Sequence, residues 1–152
     1  ATAFLNHVER GAARAGVAWM SVHAVGAGSY AWARRGFDWD PRRHRHPDPR
    51  RARAQMAADA ARRMHTSLLE HAQAGLLPQH APAAFRDWVR CLRRPPTPGD
   101  LAQWGREHRL PHPQTGRVIH AGAAAMITLD WEGVKSLPSP DGAGVPARPV
   151  RR

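Results

Sequence analysis

The sequence has a single cysteine, Cys91, and a single lysine, Lys135. One cysteine excludes a disulfide within the chain and any zinc site built from cysteine clusters. Long apolar runs are also lacking: no stretch of about 18 apolar residues occurs, so no transmembrane helix is predicted. Residues 1–8 contain Asn6 and His7 and show no secretory signal. We therefore expect a cytoplasmic protein that does not enter a membrane.

Arginine dominates the charge instead. The 152 residues include 23 lysines and arginines against 12 acidic residues, which gives a formal net charge of +11. A surplus of this sign attracts polyanions such as nucleic acid, or an acidic protein partner. An arginine-rich chain with much alanine, glycine and proline is also typical of GC-rich bacterial coding, so both interpretations stay open. The candidate nucleic-acid-binding residues come from the densest basic run: Arg42, Arg43, Arg45, Arg50 and Arg51.

Metal binding is not expected in this basic run. His44 and His46 stand two residues apart, and Asp48 follows them. Such a set is able to bind zinc or copper in other settings. The neighbouring arginines would repel a cation here, so we predict no metal.

Hydrophobic periodicity predicts short helices and strands. Apolar positions at helical spacing predict a helix over 3–15, and the apolar run over 17–25 predicts a strand. Because that strand is apolar at nearly every position, we expect it in the centre of a sheet, covered on both faces. Further helices are predicted over 50–74, after Pro82 and after Thr97.

The remaining segments set the domain organisation. Residues 117–131 fit one or two short strands, and their alanine run also fits a helix. We predict one domain over 1–137 and a flexible tail rich in proline, glycine and arginine over 138–152. The fold class is α+β or α/β, with a small mixed sheet packed against helices.

A turn with two glycines, Gly26 and Gly28, follows the predicted strand. Ser29 is predicted to cap a short helix, and Gly36 to end it. Glycines between a strand and a helix let the backbone approach a phosphate group at the helix N-terminus. A simple tight turn is the alternative explanation.

The order of amphipathic helix, strand and short helix ending in Gly36-Phe37 resembles the second half of the GNAT acyltransferase fold. In that family the short helix ends in a Tyr-x-x-x-Gly-Phe pattern, and the resemblance covers residues 3–40. Trp32 stands where the family carries its tyrosine, which can protonate the departing thiolate of coenzyme A. The family's glycine-rich pyrophosphate loop would fall at or before Ala1. The resemblance therefore implies a GNAT-like acyltransferase or a degenerate relative with a partial fold.

Acetyl-coenzyme A is the cofactor that this resemblance implies, with His23 or Tyr30 in proton transfer. A histidine titrates near neutral pH, although one inside a strand is more often structural. An enzyme, a basic binding module, and one domain of a larger bacterial toxin or effector are the alternatives that the sequence leaves open. The residues expected to hold the cofactor surround the glycine turn: Val25, Gly26, Gly28 and Ser29.

Overall fold

The structure is a computed structural model that describes residues 2–111 and 115–138. The helices in these ranges are α1 (Thr2–Arg14), α2 (Ala27–Arg34), α3 (Pro49–Gln73), α4 (Ala81–Cys91), α5 (Pro98–Gln103) and α6 (Ala121–Ile127), with a short 3-10 helix at Pro41–Arg43. The strands are β1 (Trp19–Ala24), β2 (Asp38–Trp39), β3 (Arg109–Pro111), β4 (Val118–His120) and β5 (Trp131–Ser136). Helices packed against small antiparallel sheets confirm the α+β class.

The larger sheet has the strand order β1-β5-β2, and β5 is antiparallel to both neighbours. Strands β3 and β4 form a separate two-stranded antiparallel sheet. The prediction that the strand within 17–25 lies centrally, with both faces covered, is wrong. Strand β1 is an edge strand whose side chains alternate between exposed and more buried positions. Its polar members, Ser21 and His23, occupy the exposed positions, which is the period of two that a half-buried strand requires.

One side of this sheet is partly open to solvent. Trp19, Ser21 and His23 project from it on β1, beside Val134 and Glu132 on β5. We call these five residues the open sheet face. The opposite side is the core side, where the rings of Trp39 on β2 and Trp131 on β5 meet edge to face with centroids 5.4 Å apart.

The core lies between that side and the helices. Helix α3 contacts α4 and α6, and α2 contacts α5 and α6. Many of the buried residues of α3 and α6 are alanines, whose small side chains allow helices to pack closely. The largest fully buried apolar side chains are Phe37, Phe85, Met64, Leu68, Leu101, Leu110, Met126 and Leu129.

Gly122 sets how closely α6 packs against α5. A Cβ on this residue would lie 2.4 Å from the carbonyl oxygen of Trp104 and 2.9 Å from that of Leu101. Both contacts are with backbone, which cannot swing aside as a flexible side chain can. Only glycine fits here without moving one helix.

Helix termini follow the sequence closely. Asp48 accepts from the Arg50 N–H at the start of α3, and Thr97 and Asp100 form a capping box at the start of α5. The segment over 117–131 contains β4, α6 and the start of β5. The prediction that Ser29 caps α2 is wrong, because the helix begins earlier and its N-cap is Gly26.

The predicted tail, 138–152, lies outside the described residues except for Pro138. The division between a domain over 1–137 and this tail therefore stays a prediction. Within the described ranges, every helix is too short or too polar to cross a membrane.

Candidate functional site

Tyr30 and His120 meet where α2 faces the junction of β4 and α6. The Tyr30 hydroxyl lies 2.8 Å from His120 Nε2. The two rings meet edge to face with centroids 5.4 Å apart, and both residues are half-buried. Ninety residues separate them in the chain, so the fold alone creates this pair.

The hydrogen-bond network assigns the proton positions. His120 Nδ1 accepts the Ala123 N–H at 3.3 Å, as the N-cap of α6. In the neutral ring, Nε2 then carries the proton and donates to Tyr30 Oη. Arg34 Nη1 donates to the same oxygen at 3.3 Å. With two donors on its oxygen, Tyr30 retains its own proton for a third group.

Three guanidinium groups act electrostatically on His120: Arg34 on α2, Arg106 after α5 and Arg109 on β3. Burial lowers the pKa of His120, and the positive charges of Arg106, Arg109 and Arg34 lower it further. A hydrogen bond with the backbone of Trp104 acts in the opposite direction. The ring is therefore neutral at pH 7, and the arginines supply the positive charge. We call Tyr30, Arg34, Arg106, Arg109 and His120 the His120 cluster.

The three arginines of the His120 cluster form no ion pair with a described carboxylate. In the described ranges, every acidic side chain except those of Glu70 and Glu107 is ion-paired with an arginine or lysine outside the cluster. Glu107, next to Arg106 in the chain, is 68% exposed and lies 3.5 Å from the His108 ring. None of those ion pairs involves Arg34, Arg106 or Arg109, all three of which are exposed. Guanidinium groups bind phosphate and carboxylate oxygens in forked pairs, so this arrangement suits an anion.

The predicted cofactor turn is largely occupied by its own hydrogen bonds. The N–H groups of Gly28 and Ser29 donate to the carbonyls of Val25 and Gly26, each at 3.0 Å. The buried Ser29 hydroxyl donates to the Leu129 carbonyl at 2.5 Å. Gly26 has a φ of +54°, which glycine tolerates well. The turn thus fixes α2 to the core, and the buried Ser29 hydroxyl is used in a hydrogen bond within the protein.

His23 lies apart from Tyr30, on the open sheet face. Its side chain is 58% exposed and its Nδ1 lies 2.9 Å from Glu132 Oε1. Arg43 approaches the other carboxylate oxygen at 3.8 Å. The two predicted catalytic residues, His23 and Tyr30, are therefore not brought into one site.

Arg42 is the most firmly held of the predicted nucleic-acid-binding arginines. Its Nε and Nη2 each donate to a carboxylate oxygen of Asp40 at 2.7 Å, and its backbone N–H donates at 3.1 Å. Asp40 is 2% exposed. The guanidinium carbon lies 3.8 Å from the ring centroid of Trp19. The buried carboxylate therefore fixes a cation against an exposed indole.

The other predicted arginines divide into two kinds. Arg43 is next to Glu132, and Arg51 lies 3.8 Å from Asp48 in a loose exposed pair. Arg45 and Arg50 are exposed and have no carboxylate partner among the residues that the structure describes. These two retain their full charge for a partner.

Each of the two histidines of the basic run uses one ring nitrogen in a hydrogen bond within the loop. His44 Nδ1 accepts the His46 N–H, and His46 Nδ1 accepts the Asp48 N–H, each at 3.0 Å. Both rings thereby stabilise the loop. No group of three metal-ligating side chains occurs among residues 2–111 and 115–138.

Sequence reasoning missed four members of the His120 cluster. Tyr30 and Arg34 stand four residues apart, a spacing that places them on one helix face, so this pair was recognisable. Arg106, Arg109 and His120 reach the site only through the turn after α5 and the small sheet. No local signal marks them.

Comparison with protein-family models, curated proteins and solved structures gives no match. The function is therefore argued from the geometry and charge described above.

Proposed function

We propose that this domain binds nucleic acid and that a backbone phosphate lies in the His120 cluster. The observation that carries the proposal is that three arginines, none of them ion-paired within the described ranges, act with their charges on one half-buried histidine, with Arg34 also bonded to Tyr30. In the free protein their mutual repulsion is uncompensated. A phosphate in contact with them would relieve it while accepting charge-assisted hydrogen bonds.

Each member of the cluster has a distinct part in this proposal. Arg34, Arg106 and Arg109 contact phosphate oxygens, and the Tyr30 hydroxyl donates its free proton to another of them. His120 orients Tyr30 through its Nε2–H. Because these contacts are with the phosphate backbone of the nucleic acid and not with its bases, the proposal concerns affinity rather than sequence preference. The proposal also keeps the expectation that the protein is cytoplasmic, since nucleic acid is abundant in the cytoplasm.

The test is the salt dependence of binding to a fluorescent oligonucleotide. Replacing Arg34, Arg106 and Arg109 by alanine one at a time should lower affinity. Each loss should also reduce the slope of log affinity against log salt by about 0.7 to 0.9. The matched control is Arg86→Ala, which removes an exposed arginine of α4 that likewise lacks an ion pair in the described ranges. An equal loss of oligonucleotide affinity in all four variants, or binding that does not depend on salt, would contradict the proposal.

A second candidate is acyl transfer from acetyl-coenzyme A, favoured by the doubly hydrogen-bonded Tyr30. The observed order of α1, β1, α2 and Gly36-Phe37 is the order on which the family resemblance was based. Trp32, at the family's tyrosine position, packs edge to face on Phe37 with ring centroids 5.1 Å apart. In this proposal an acceptor amine attacks the thioester carbonyl and takes the acetyl group as the carbon–sulfur bond breaks. Tyr30 protonates the departing thiolate, and His120 and Arg34 stabilise the resulting phenolate.

Acetyl-coenzyme A itself separates the two candidates. The acyltransferase proposal expects a rise in melting temperature at millimolar cofactor that Gly28→Asp abolishes. It also expects thiol release that Tyr30→Phe abolishes while the melting-temperature shift remains. A phosphate site alone predicts a shift that Arg106→Ala removes, without thiol release. No shift at all would eliminate the acyltransferase.

A further inference from the structure

We infer that Trp19, with Arg42 against its ring, stacks on an unpaired base, so that the partner is single-stranded nucleic acid. This inference rests on the proposed function and extends it from phosphate contacts to base contacts. It concerns the open sheet face, which the His120 cluster does not include.

The geometry provides a rigid stacking surface. Trp19 is 46% exposed even with the Arg42 guanidinium 3.8 Å from its ring centroid. The bidentate pair with buried Asp40 holds that guanidinium in place. Little side-chain freedom remains to be lost when a base arrives, which favours binding.

Charge complementarity identifies the occupant. The chain that leaves Arg42 continues to Arg45 and, at the start of α3, to Arg50. Both are exposed, and neither is ion-paired within the described ranges. An aromatic ring held against Arg42, with the unpaired Arg45 and Arg50 following along the chain, matches alternating bases and phosphates. This is the combination by which single strands are bound without sequence preference.

A duplex does not fit this surface equally well. Its bases already stack on one another, so their planar faces are unavailable to an indole, whereas a single strand exposes them. An acidic protein would use the arginines but would gain nothing from the ring as a stacking surface. The dependence on Trp19 is therefore the distinguishing property.

The experiment compares a single-stranded oligonucleotide with an abasic strand of the same length. Trp19→Ala should weaken binding to the normal strand at least about fivefold and leave binding to the abasic strand unchanged. Trp19→Phe, which keeps an aromatic face, should restore most of the loss. Leu76→Ala is the matched control, because it truncates another exposed apolar side chain, 45% exposed, in the turn after α3.

Three results would overturn the inference while leaving phosphate binding intact. They are an equal effect of Trp19→Ala on both strands, tighter binding of the matching duplex, and Trp19-dependent binding of polyglutamate. If neither strand binds at low salt, the proposed function fails and the inference fails with it.

Discussion

Asp40→Asn tests how strongly a buried carboxylate holds Arg42. Asp40 accepts three hydrogen bonds from Arg42, two of them from the guanidinium. Asparagine has nearly the same shape, but it loses the charge and turns an N–H₂ toward a group that can only donate. One carbonyl oxygen remains to accept.

The expected loss follows from the exposure of the two partners. Hydrogen bonds to charged groups contribute about 1.5–3 kcal/mol each, and removing a partner from a fully buried pair costs about 3–5 kcal/mol. The Arg42 side chain is 37% exposed, so its charge returns partly to water when Asp40 is changed. We therefore expect a decrease of about 2 kcal/mol in the free energy of unfolding at pH 7.

The pH dependence has a definite sign. Hydrogen bonds from Arg42 hold the pKa of Asp40 below its usual value, although burial alone would raise it. A lowered pKa in the folded state stabilises the protein above the unfolded value, which is about 3.9. That stabilisation disappears as the pH falls through the folded value. The difference between wild type and Asp40→Asn should be equal at pH 7 and pH 5 and smaller at pH 3.

Urea unfolding followed by circular dichroism measures this difference. The matched control is Asp59→Asn, since Asp59 is an exposed carboxylate that pairs with Arg62 on the surface of α3. Exposed pairs contribute little, so this variant should change stability by less than about 1 kcal/mol. An unchanged Asp40→Asn protein at pH 7, or a difference that persists undiminished at pH 3, would refute the reasoning.

Three further predictions concern the core and the site. Gly122→Ala should destabilise the protein by about 2 kcal/mol or more in urea unfolding, because the added methyl group collides with backbone; unchanged stability would show that α5 and α6 separate easily. Ser29→Ala should lower the free energy of unfolding by about 1 kcal/mol, because the Ser29 hydroxyl donates a hydrogen bond to the Leu129 carbonyl. The salt slope of oligonucleotide binding should stay unchanged; a smaller slope would place Ser29 at the ligand. The His120 ring should titrate below pH 6.5 by NMR, and oligonucleotide binding should raise that midpoint by supplying negative charge; a midpoint unmoved by bound oligonucleotide would exclude contact with phosphate.

Local chemistry explains why many elements were predictable. Asp48 and the proline after it mark the start of α3. Gly75, which has a positive φ, lies just after the end of this helix. The capping box at Thr97 is complete in sequence, because both residues that form it lie within four positions. Signals of this kind depend only on neighbours in the chain, so one sequence is enough to recognise them.

The wrong placement of β1 has a different cause. Val17, Trp19 and Val25 are apolar, and apolar residues at nearly every position predicted burial on both faces. All three are among the exposed large apolar residues. The hydrophobicity of a strand shows that its side chains can be buried, but not that a second layer covers them. The position of β1 at the edge of the sheet depends on its pairing with β5, which lies more than a hundred residues later in the chain.

The His120 cluster shows why net charge alone does not locate a binding site. The longest basic run, around Arg42 and Arg43, contains arginines that Asp40 and Glu132 partly neutralise. Arg34, Arg106 and Arg109 belong instead to separate segments of the chain, their charges act together on His120, and none of them is ion-paired within the described ranges. A functional cationic site is therefore defined by the absence of acidic partners in three dimensions. The salt slope of the Arg109→Ala variant, compared with that of Arg43→Ala, measures this difference directly: the first should fall by about 0.7 to 0.9 and the second by less.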